Sequence, residues 1–252
     1  LIQCRLIFLI PRQYNRGMSK KHTIKLDDMV DIKGITKNQT EVIKEYKKGK
    51  CLFLYGSAGT GKTFVTLYHA LKEVLDPKTA YNCVYVVRSL ISTREIGFLP
   101  GDEEDKSALY QVPYDNMVRF MFKMPTPDQF DFLYDRLRQQ GSLMFLSTSF
   151  LRGITLDNAI IIVDECQNLN FHELDTIMTR VGQDSKIMFC GDFDQTDLTK
   201  EREKGGLGDF MKIISGMKEF HSCEFDIGDI VRSGLVRSYI IQKYNTHLGD
   251  SE

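Results

Sequence analysis

The sequence predicts an α/β fold in which a mostly parallel β-sheet is flanked by helices. Two continuous apolar runs, residues 159–163 and 186–190, lack the alternation of a half-exposed strand and are typical of parallel strands buried on both faces. Stretches with a helical pattern separate the strand-like runs along the chain, as in α/β proteins. A glycine-rich segment, residues 56–63, joins one predicted strand directly to a predicted helix.

The predicted elements follow one another in a simple order. Residues 36–48 are expected to form a helix, with Thr36 as its N-cap and Gly49 as its stop signal. Strands are predicted at residues 51–55, 83–87, 143–146, 159–163, 186–190 and 222–226. Further helices are predicted from residue 64 onward and at residues 107–124, 128–139 and 231–244. Pro125 and Pro127 separate the two middle helices.

The composition is that of an ordinary globular chain, with 252 residues, a net charge of -1, 42% hydrophobic and 27% charged residues. The near-neutral charge argues against a strongly basic nucleic-acid binder but leaves a local basic face open. The six cysteines form no C-x-x-C pair. Four of them lie within or beside apolar runs and are interpreted as buried thiols in a reducing compartment, the cytoplasm, namely Cys51, Cys83, Cys166 and Cys190. The apolar start of the chain ends at Pro11 and is too short to span a bilayer, so no membrane partner is predicted.

The domain organisation has three predicted parts. Residues 1–35 are an N-terminal extension, residues 36–246 form one nucleotide-binding domain, and residues 247–252 are a tail. Because a methionine first occurs at Met18, residues 1–17 are interpreted as an upstream translated extension or a mis-set start. We expect their deletion to leave folding and nucleotide binding intact.

The phosphate-binding loop pattern G-x-x-x-x-G-K-[ST], the Walker A motif, is matched without a mismatch by Gly56-Ser57-Ala58-Gly59-Thr60-Gly61-Lys62-Thr63. The glycines allow backbone N–H groups to turn inward around phosphate oxygens, and the helix that follows adds a partial positive charge. Lys62 is predicted to reach the β- and γ-phosphates of ATP. The Thr63 hydroxyl is predicted to bind Mg²⁺.

Two acidic residues, Asp164 and Glu165, come directly after the apolar strand 159–163, as in a Walker B motif. Asp164 is predicted to hold Mg²⁺ directly or through water. Glu165 is predicted to polarise the attacking water as general base. The next strand, 186–190, is followed by Gln195, whose amide is predicted to contact the γ-phosphate and the attacking water.

A cation on the transferring phosphoryl group is the remaining need of this chemistry. Arg232, which follows the last predicted strand and its turn, is ranked first as an arginine finger, and Arg180 is ranked second. The full set of candidate arginines is Arg88, Arg152, Arg180, Arg232 and Arg237. The histidines show no ligand spacing, so no structural metal is predicted.

Taken together, these motifs resemble the PhoH family of phosphate-starvation-associated ATPases, and most closely its phage-encoded members. The resemblance covers roughly residues 36–244. Beyond the phosphate loop it rests on the segments Arg94–Gly101, Ser147–Leu156, Ile161–Asn168, Met178–Gly182, Gly191–Asp192 with Gln195, and Asp229–Gly234. The chain departs from the bacterial pattern at Cys166, where alanine is usual, and at Ser89, where proline is usual.

The resemblance carries further expectations, because the family is similar to the first RecA-like lobe of superfamily 1 helicases. It implies that Gln39 recognises adenine, that ATP and Mg²⁺ are the ligands, and that single-stranded RNA or DNA is a partner. With one phosphate loop, the ATP site either stays half-open or is completed by another subunit. The expected assembly is a homo-oligomer such as a hexameric ring.

Three functions stay open at this point. The first is an ATPase, helicase-like, that moves or remodels RNA or DNA. The second is a nucleotide-dependent switch or scaffold with little turnover. The third is a nucleotide-binding regulator of host phosphate metabolism, which would act in the host cytoplasm if the chain is phage-encoded. Hydrolysis stimulated by nucleic acid favours the first, tight ATP binding without hydrolysis the second, and capture of a host protein the third.

Overall fold

The structure is a computed structural model, and it describes residues 24–88, 103–122, 124, 126–151, 153–192 and 201–249. Several sequence predictions fall outside these ranges, namely those on residues 1–17, Ser89, Arg94–Gly101, Arg152 and Gln195.

One six-stranded sheet forms the centre of the fold, with the strand order β3-β2-β4-β5-β1-β6. The strands are β1 (Cys51–Gly56), β2 (Cys83–Arg88), β3 (Leu143–Ser147), β4 (Ala159–Val163), β5 (Lys186–Cys190) and β6 (Phe220–Phe225). Every neighbouring pair runs parallel. Strands β1 and β4 flank β5, so the ends that lead to Gly56 and to Asp164 open on the same edge of the sheet. The predicted α/β fold with a parallel sheet is confirmed.

Helices cover both faces of this sheet. Within the described residues they are α1 (Lys37–Lys47), α2 (Lys62–Val74), α3 (Glu103–Met121), α4 (Pro127–Gln139), α5 (Phe171–Met178), α6 (Glu201–Ser215) and α7 (Gly234–Gly249). Side chains of α1 to α4 pack into the core on one face, and those of α5 and α6 into the core on the other. In these ranges no helix combines the length and the apolarity that crossing a membrane needs.

The apolar strands are buried on both faces, as their continuous hydrophobicity predicts. In β4, Ile160 and Ile162 join the core on one side of the sheet, while Ile161 and Val163 join the core on the other. All four are fully buried. This burial on both faces explains why β4 has an apolar residue at every position.

The predicted elements and the observed ones agree at most positions. The helix expected at residues 36–48 is α1, and its N-cap Thr36 accepts a hydrogen bond from the backbone N–H of Gln39 at 3.2 Å. The last strand begins two residues earlier than expected, and α3 begins at Glu103, four residues earlier than expected. Helices α5 and α6 are not among the predicted elements.

Residues before α1 belong to the packed unit. Tyr68 of α2 donates its hydroxyl to the backbone O of Val30 at 2.8 Å and accepts the N–H of Ile32 at 3.0 Å. The N–H of Val30 also bonds to the backbone O of Met121 at 2.9 Å. The described residues from 24 to 35 thus pack with the domain, although the sequence places the domain boundary at 36.

Gly56, at the end of β1, is expected to be intolerant of a side chain. Its φ is +109°, and a Cβ there would collide with the backbone O of Phe225 in β6. Gly49 is a matched control, because its φ is +89° and a Cβ would meet nothing within 4 Å. Gly49→Ala should cost about 1–2 kcal/mol of unfolding free energy from backbone strain alone. Gly56→Ala should cost about 1–3 kcal/mol more, because strands must shift. Urea unfolding measures both, and equal losses would contradict the steric account.

Candidate nucleotide-binding site

The loop of residues 56–63 connects β1 to α2 and contains three glycines in left-handed conformations. The φ angles are +109° at Gly56, +74° at Gly59 and +81° at Gly61. Helix α2 begins at Lys62, directly after Gly61. The loop and the N-terminus of the helix therefore lie together at the carboxyl edge of the sheet, as the sequence pattern requires.

The last residue of β6 and the segment that follows this strand are hydrogen-bonded to the loop. Ser57 donates its backbone N–H to the backbone O of Phe225 at 2.8 Å. Val231 donates its N–H to the backbone O of Gly59 at 3.0 Å. Because these contacts join residues far apart in sequence, the shape of the loop depends on the chain just before α7.

Lys62 lies inside the loop and is only 8% exposed. Its ammonium donates to the backbone O of Gly56 at 2.9 Å and to the backbone O of Ser57 at 2.8 Å. Burial lowers the pKa of Lys62, and nearby acidic groups, with Asp192 the strongest, oppose this shift. The loop thus holds the positive charge of Lys62 at its centre. An anion bound there would replace the two backbone carbonyls as the acceptor of its hydrogen bonds, and charged acceptors form the stronger bonds.

Thr63 and Asp164 are brought together, although 101 positions separate them in the sequence. The Thr63 hydroxyl donates to Oδ1 of Asp164 at 2.7 Å. Since its hydrogen is used on the carboxylate, the lone pairs of the hydroxyl are left for a cation. A hydroxyl and a carboxylate are hard oxygen donors that suit Mg²⁺, which takes few protein ligands and keeps its remaining places for water and phosphate. The residues present therefore fit the predicted metal.

Glu165 takes a strained backbone conformation, with φ 52° and ψ 42°. This left-handed conformation is uncommon outside glycine and is often found at functional positions. Gln167 donates its amide to Oε2 of Glu165 at 2.6 Å, and Nη2 of Arg88 lies 3.9 Å from Oε1. Burial raises the pKa of Glu165, the charge of Asp164 raises it further, and Gln167 and Arg88 oppose the rise. A carboxylate with a raised pKa suits a general base.

Gln167 also ties Glu165 to the end of β5. Its Oε1 accepts the backbone N–H of Asp192 at 3.0 Å, and its side chain is buried. A Cβ on Gly191 would lie 2.7 Å from Sγ of Cys166, so the two segments are in close contact. Cys166, the departure from the family pattern, is fully buried beside β4.

The amide of Gln39 joins the loop to the segment before α1. Nε2 donates to the backbone O of Thr60 at 2.9 Å, and Oε1 accepts the N–H of Ile35 at 3.0 Å. The side chain is 4% exposed. The adenine contact stays a prediction, while a direct hold on the phosphate loop is a role that the sequence did not indicate.

Arg232 lies against the phosphate loop of its own chain. Its Cγ would be 2.9 Å from a Cβ placed on Gly59, and Ile240 of α7 would be 3.4 Å from the same point. Val231, the residue before it, is hydrogen-bonded to Gly59. The arginine ranked first from the sequence is thus held beside the loop within a single copy of the protein.

Arg180 lies at the other edge of the sheet. Its backbone O accepts the N–H of Leu156, three residues before β4 begins at Ala159. The five residues of β4 span about 16 Å to the carboxyl edge that carries Asp164. Arg180 and the phosphate loop of the same chain are therefore not brought together.

Tyr114 of α3 is a site residue that the sequence analysis missed. Its hydroxyl donates to Oδ2 of Asp164 at 2.6 Å, and its ring centroid lies 5.3 Å from that of Phe145. Burial raises the pKa of Tyr114 well above its usual range, and the charge of Asp164 adds to the rise. Nothing local marks this tyrosine, because the contact joins a helix to a residue 50 positions away. The sequence indicated Arg88 as a candidate site residue only through its position at the end of β2.

Comparisons with solved structures find chains of related shape. The large terminase of a thermophilic bacteriophage is 13% identical, with a TM-score of 0.47, over 82% of this chain and 49% of the terminase. The Bacteroides Pif1 helicase bound to single-stranded DNA is 18% identical, with a TM-score of 0.36, over 78% of this chain and 42% of the helicase.

Comparisons of sequence identify the family. A PhoH-like protein of Synechocystis sp. is 32% identical over 84% of this chain and 62% of its own length. A PhoH-like protein of Bacillus subtilis is 31% identical over 92% of this chain and 73% of its own length. The chain therefore spans only about two thirds of these curated relatives. The family pattern described as PhoH-like protein matches residues 31–245, and the chain accordingly belongs to the PhoH-like protein family.

Proposed function

We propose that this protein binds ATP together with Mg²⁺ at the 56–63 loop and hydrolyses it. The observation that carries the proposal is the meeting of Lys62, Thr63, Asp164 and Glu165 at one edge of the sheet. An anion-binding loop, a pair of hard oxygen donors and a partly buried carboxylate are the parts that phosphoryl transfer to water needs.

Each residue has a role that its contacts support. Lys62 exchanges the carbonyls of Gly56 and Ser57 for the β- and γ-phosphates, helped by the N–H groups of the loop. Thr63 and Asp164 would hold Mg²⁺. When bound, the metal neutralises charge on the phosphate oxygens. The remaining loop residues Ser57, Ala58, Gly59, Thr60 and Gly61 line the phosphates through their backbone.

Glu165 accepts the proton of the attacking water in this proposal. Gln167 orients the carboxylate through Oε2, and Arg88 stands beside Oε1. A fixed carboxylate loses less freedom when it meets the water, which favours proton transfer. Gln195, outside the described residues, is proposed to sense the γ-phosphate from the segment that follows β5.

Arg232 is proposed to act on the ATP bound by its own chain. Its stem already lies on Gly59, so its guanidinium can reach the phosphates without a second subunit. Arg180 lies near the start of β4, at the edge of the sheet opposite this site, so in this proposal it serves the site of another copy. A homo-oligomer such as a hexameric ring remains part of the proposal, with Arg180 as the residue that a neighbour would supply.

Gln39 is proposed to read adenine with the amide that now contacts Thr60 and Ile35. Gln39 would then link the base to the phosphate loop, because its amide is hydrogen-bonded to the backbone O of Thr60 and would have to change this bond on contacting adenine. The buried free thiols of Cys83, Cys166 and Cys190 agree with the reducing cytoplasm as the proposed location.

Binding of a fluorescent ATP analogue tests the phosphate loop. Lys62→Ala should weaken the affinity about 10–100-fold, because it removes charged hydrogen bonds worth about 1.5–3 kcal/mol. Lys72→Ala, ten residues further along α2, is the matched control and should bind as the wild type does. An unchanged affinity in Lys62→Ala would place the nucleotide elsewhere.

A second candidate function, coupling of hydrolysis to single-stranded RNA or DNA, is favoured by the surface of α3 and α4. Phe120 is 75% exposed and Phe132 is 52% exposed. The guanidinium of Arg136 lies 5.1 Å from the ring centroid of Phe132. Exposed aromatic rings beside arginine are the groups on which single-stranded bases stack. Stimulation of ATP hydrolysis by RNA or DNA would support this coupling.

A further inference from the structure

Asp164, the proposed metal ligand, is held by a hydrogen bond at each of its two oxygens. Thr63 donates to Oδ1 at 2.7 Å, and Tyr114 donates to Oδ2 at 2.6 Å. Each carboxylate oxygen has about two lone-pair positions. The two donors therefore fix the plane of the carboxylate and still leave acceptor positions for a cation or for water bound to it.

Tyr114 is buried in the core, where its hydroxyl reaches Asp164. Its side chain is 1% exposed and packs on Phe145 of β3, so the ring has little freedom to turn away. A buried hydroxyl without a partner is costly, and here its partner is the carboxylate. Rotation of the ring away from Asp164 would cost both the hydrogen bond and the packing.

We propose that Tyr114 is a positioning residue for Mg²⁺, which sets the orientation of Asp164 and thereby ties α3 to the metal site. The inference rests on the proposed function in one respect, that Asp164 is a metal ligand. Thr63 belongs to the phosphate loop and the first turn of α2, whereas Tyr114 belongs to α3. The carboxylate thus connects the loop to α3, and movement of α3 changes the hold on the metal.

The test compares nucleotide affinity with and without the metal. The affinity of a fluorescent ATP analogue is measured in EDTA and in saturating Mg²⁺, and the ratio of the two affinities reports how well the metal is held. Loss of a residue that orients a metal ligand typically costs about 10–100-fold in metal affinity. Tyr114→Phe should lower the ratio by that factor while the affinity in EDTA stays that of the wild type.

Tyr68→Phe is the matched control, because Tyr68 is equally buried and its hydroxyl bonds to Val30 away from the metal site. Its ratio should equal that of the wild type. A ratio in Tyr114→Phe equal to the wild type, or an equal fall in both affinities, would overturn the positioning role. A wild type whose binding ignores Mg²⁺ would instead overturn the proposed function itself, so the two failures are distinguishable.

Two further measurements distinguish the positioning role of Tyr114 from a folding defect in the Tyr114→Phe variant. In an Asp164→Asn background, Tyr114→Phe should bring no additional loss in the ratio, since the tyrosine acts through that carboxylate. The second measurement is hydrogen exchange of the wild type, in which no substitution can disturb the fold. Mg²⁺ added to the nucleotide complex should slow exchange in residues 111–121 of α3, and unchanged exchange there would contradict the tie between α3 and the metal.

Discussion

Replacing Arg232 with alanine is expected to slow ATP hydrolysis about 10³–10⁵-fold, the range seen when an arginine that stabilises the transferring phosphoryl group is removed. The affinity for ATP should change only a few-fold, because the guanidinium acts mainly on charge that develops in the transition state. Phosphate release and the binding of a fluorescent analogue measure the two quantities separately. Arg237→Ala, five residues further on and exposed, is the matched control.

A mixing experiment decides whether Arg232 serves its own chain or a neighbour. The structure holds its stem on Gly59 of the same chain, so a mixture of Arg232→Ala and Glu165→Gln proteins should stay inactive. Recovery of hydrolysis in the mixture would show that one subunit supplies the arginine to the site of another. Full activity of Arg232→Ala alone would remove this arginine from the mechanism, and loss in Arg237→Ala would reassign the role.

Replacing Glu165 with glutamine is expected to lower the rate of hydrolysis about 10²–10⁴-fold, the usual contribution of a general base. The substitution keeps the size of the side chain but removes the proton acceptor. ATP binding should persist, since Lys62 and the loop are unchanged. Pre-steady-state phosphate release measures the chemical step directly and excludes a change in product release.

Glu219→Gln is the control for this charge change. Glu219 is exposed and precedes β6 at the amino edge of the sheet, opposite the proposed site. Its substitution should leave hydrolysis unchanged. Retention of wild-type turnover in Glu165→Gln would assign the general base to another group, whereas loss of ATP binding would show that the glutamine disturbs the loop.

Local patterns in the sequence account for the strands and for the residues of the main motifs. The continuous apolar run of β4 follows from burial on both faces, and it delivers Asp164 and Glu165 to the carboxyl edge. Because β1 ends on the same edge, the strand order alone brings Lys62 and Thr63 close to the acids. The apolar pattern of β4 and the phosphate-loop motif can both be recognised without knowledge of contacts between distant residues.

Helix α6 shows why other elements could not be predicted. Its sequence contains Gly205, Gly206 and Gly208, and glycine disfavours helices by about 1 kcal/mol relative to alanine. In the structure a Cβ on Gly206 would lie 2.9 Å from the backbone N of Phe171 at the start of α5. The glycine permits close packing of two helices, a tertiary reason that outweighs local preference.

Contacts across long stretches of sequence are the other part that local reasoning misses. Tyr114 reaches Asp164, Gln39 reaches Thr60, and Val231 reaches Gly59 only after the sheet has formed. The local sequence around each partner gives no sign of the contact, because a tyrosine in a helix and an apolar residue after a strand are both common. Their effect on the phosphate loop and on the metal ligand follows from topology and not from a motif.

The most direct test of the account is phosphate release from ATP by the purified protein, measured in Mg²⁺ and in EDTA, with and without single-stranded RNA. The account predicts release that needs Mg²⁺ and disappears in Glu165→Gln, and a rise with RNA would add coupling to nucleic acid. Tight binding of ATP with no release above the Glu165→Gln background, and no response to RNA, would contradict an ATPase. That outcome would indicate a nucleotide-dependent switch or scaffold.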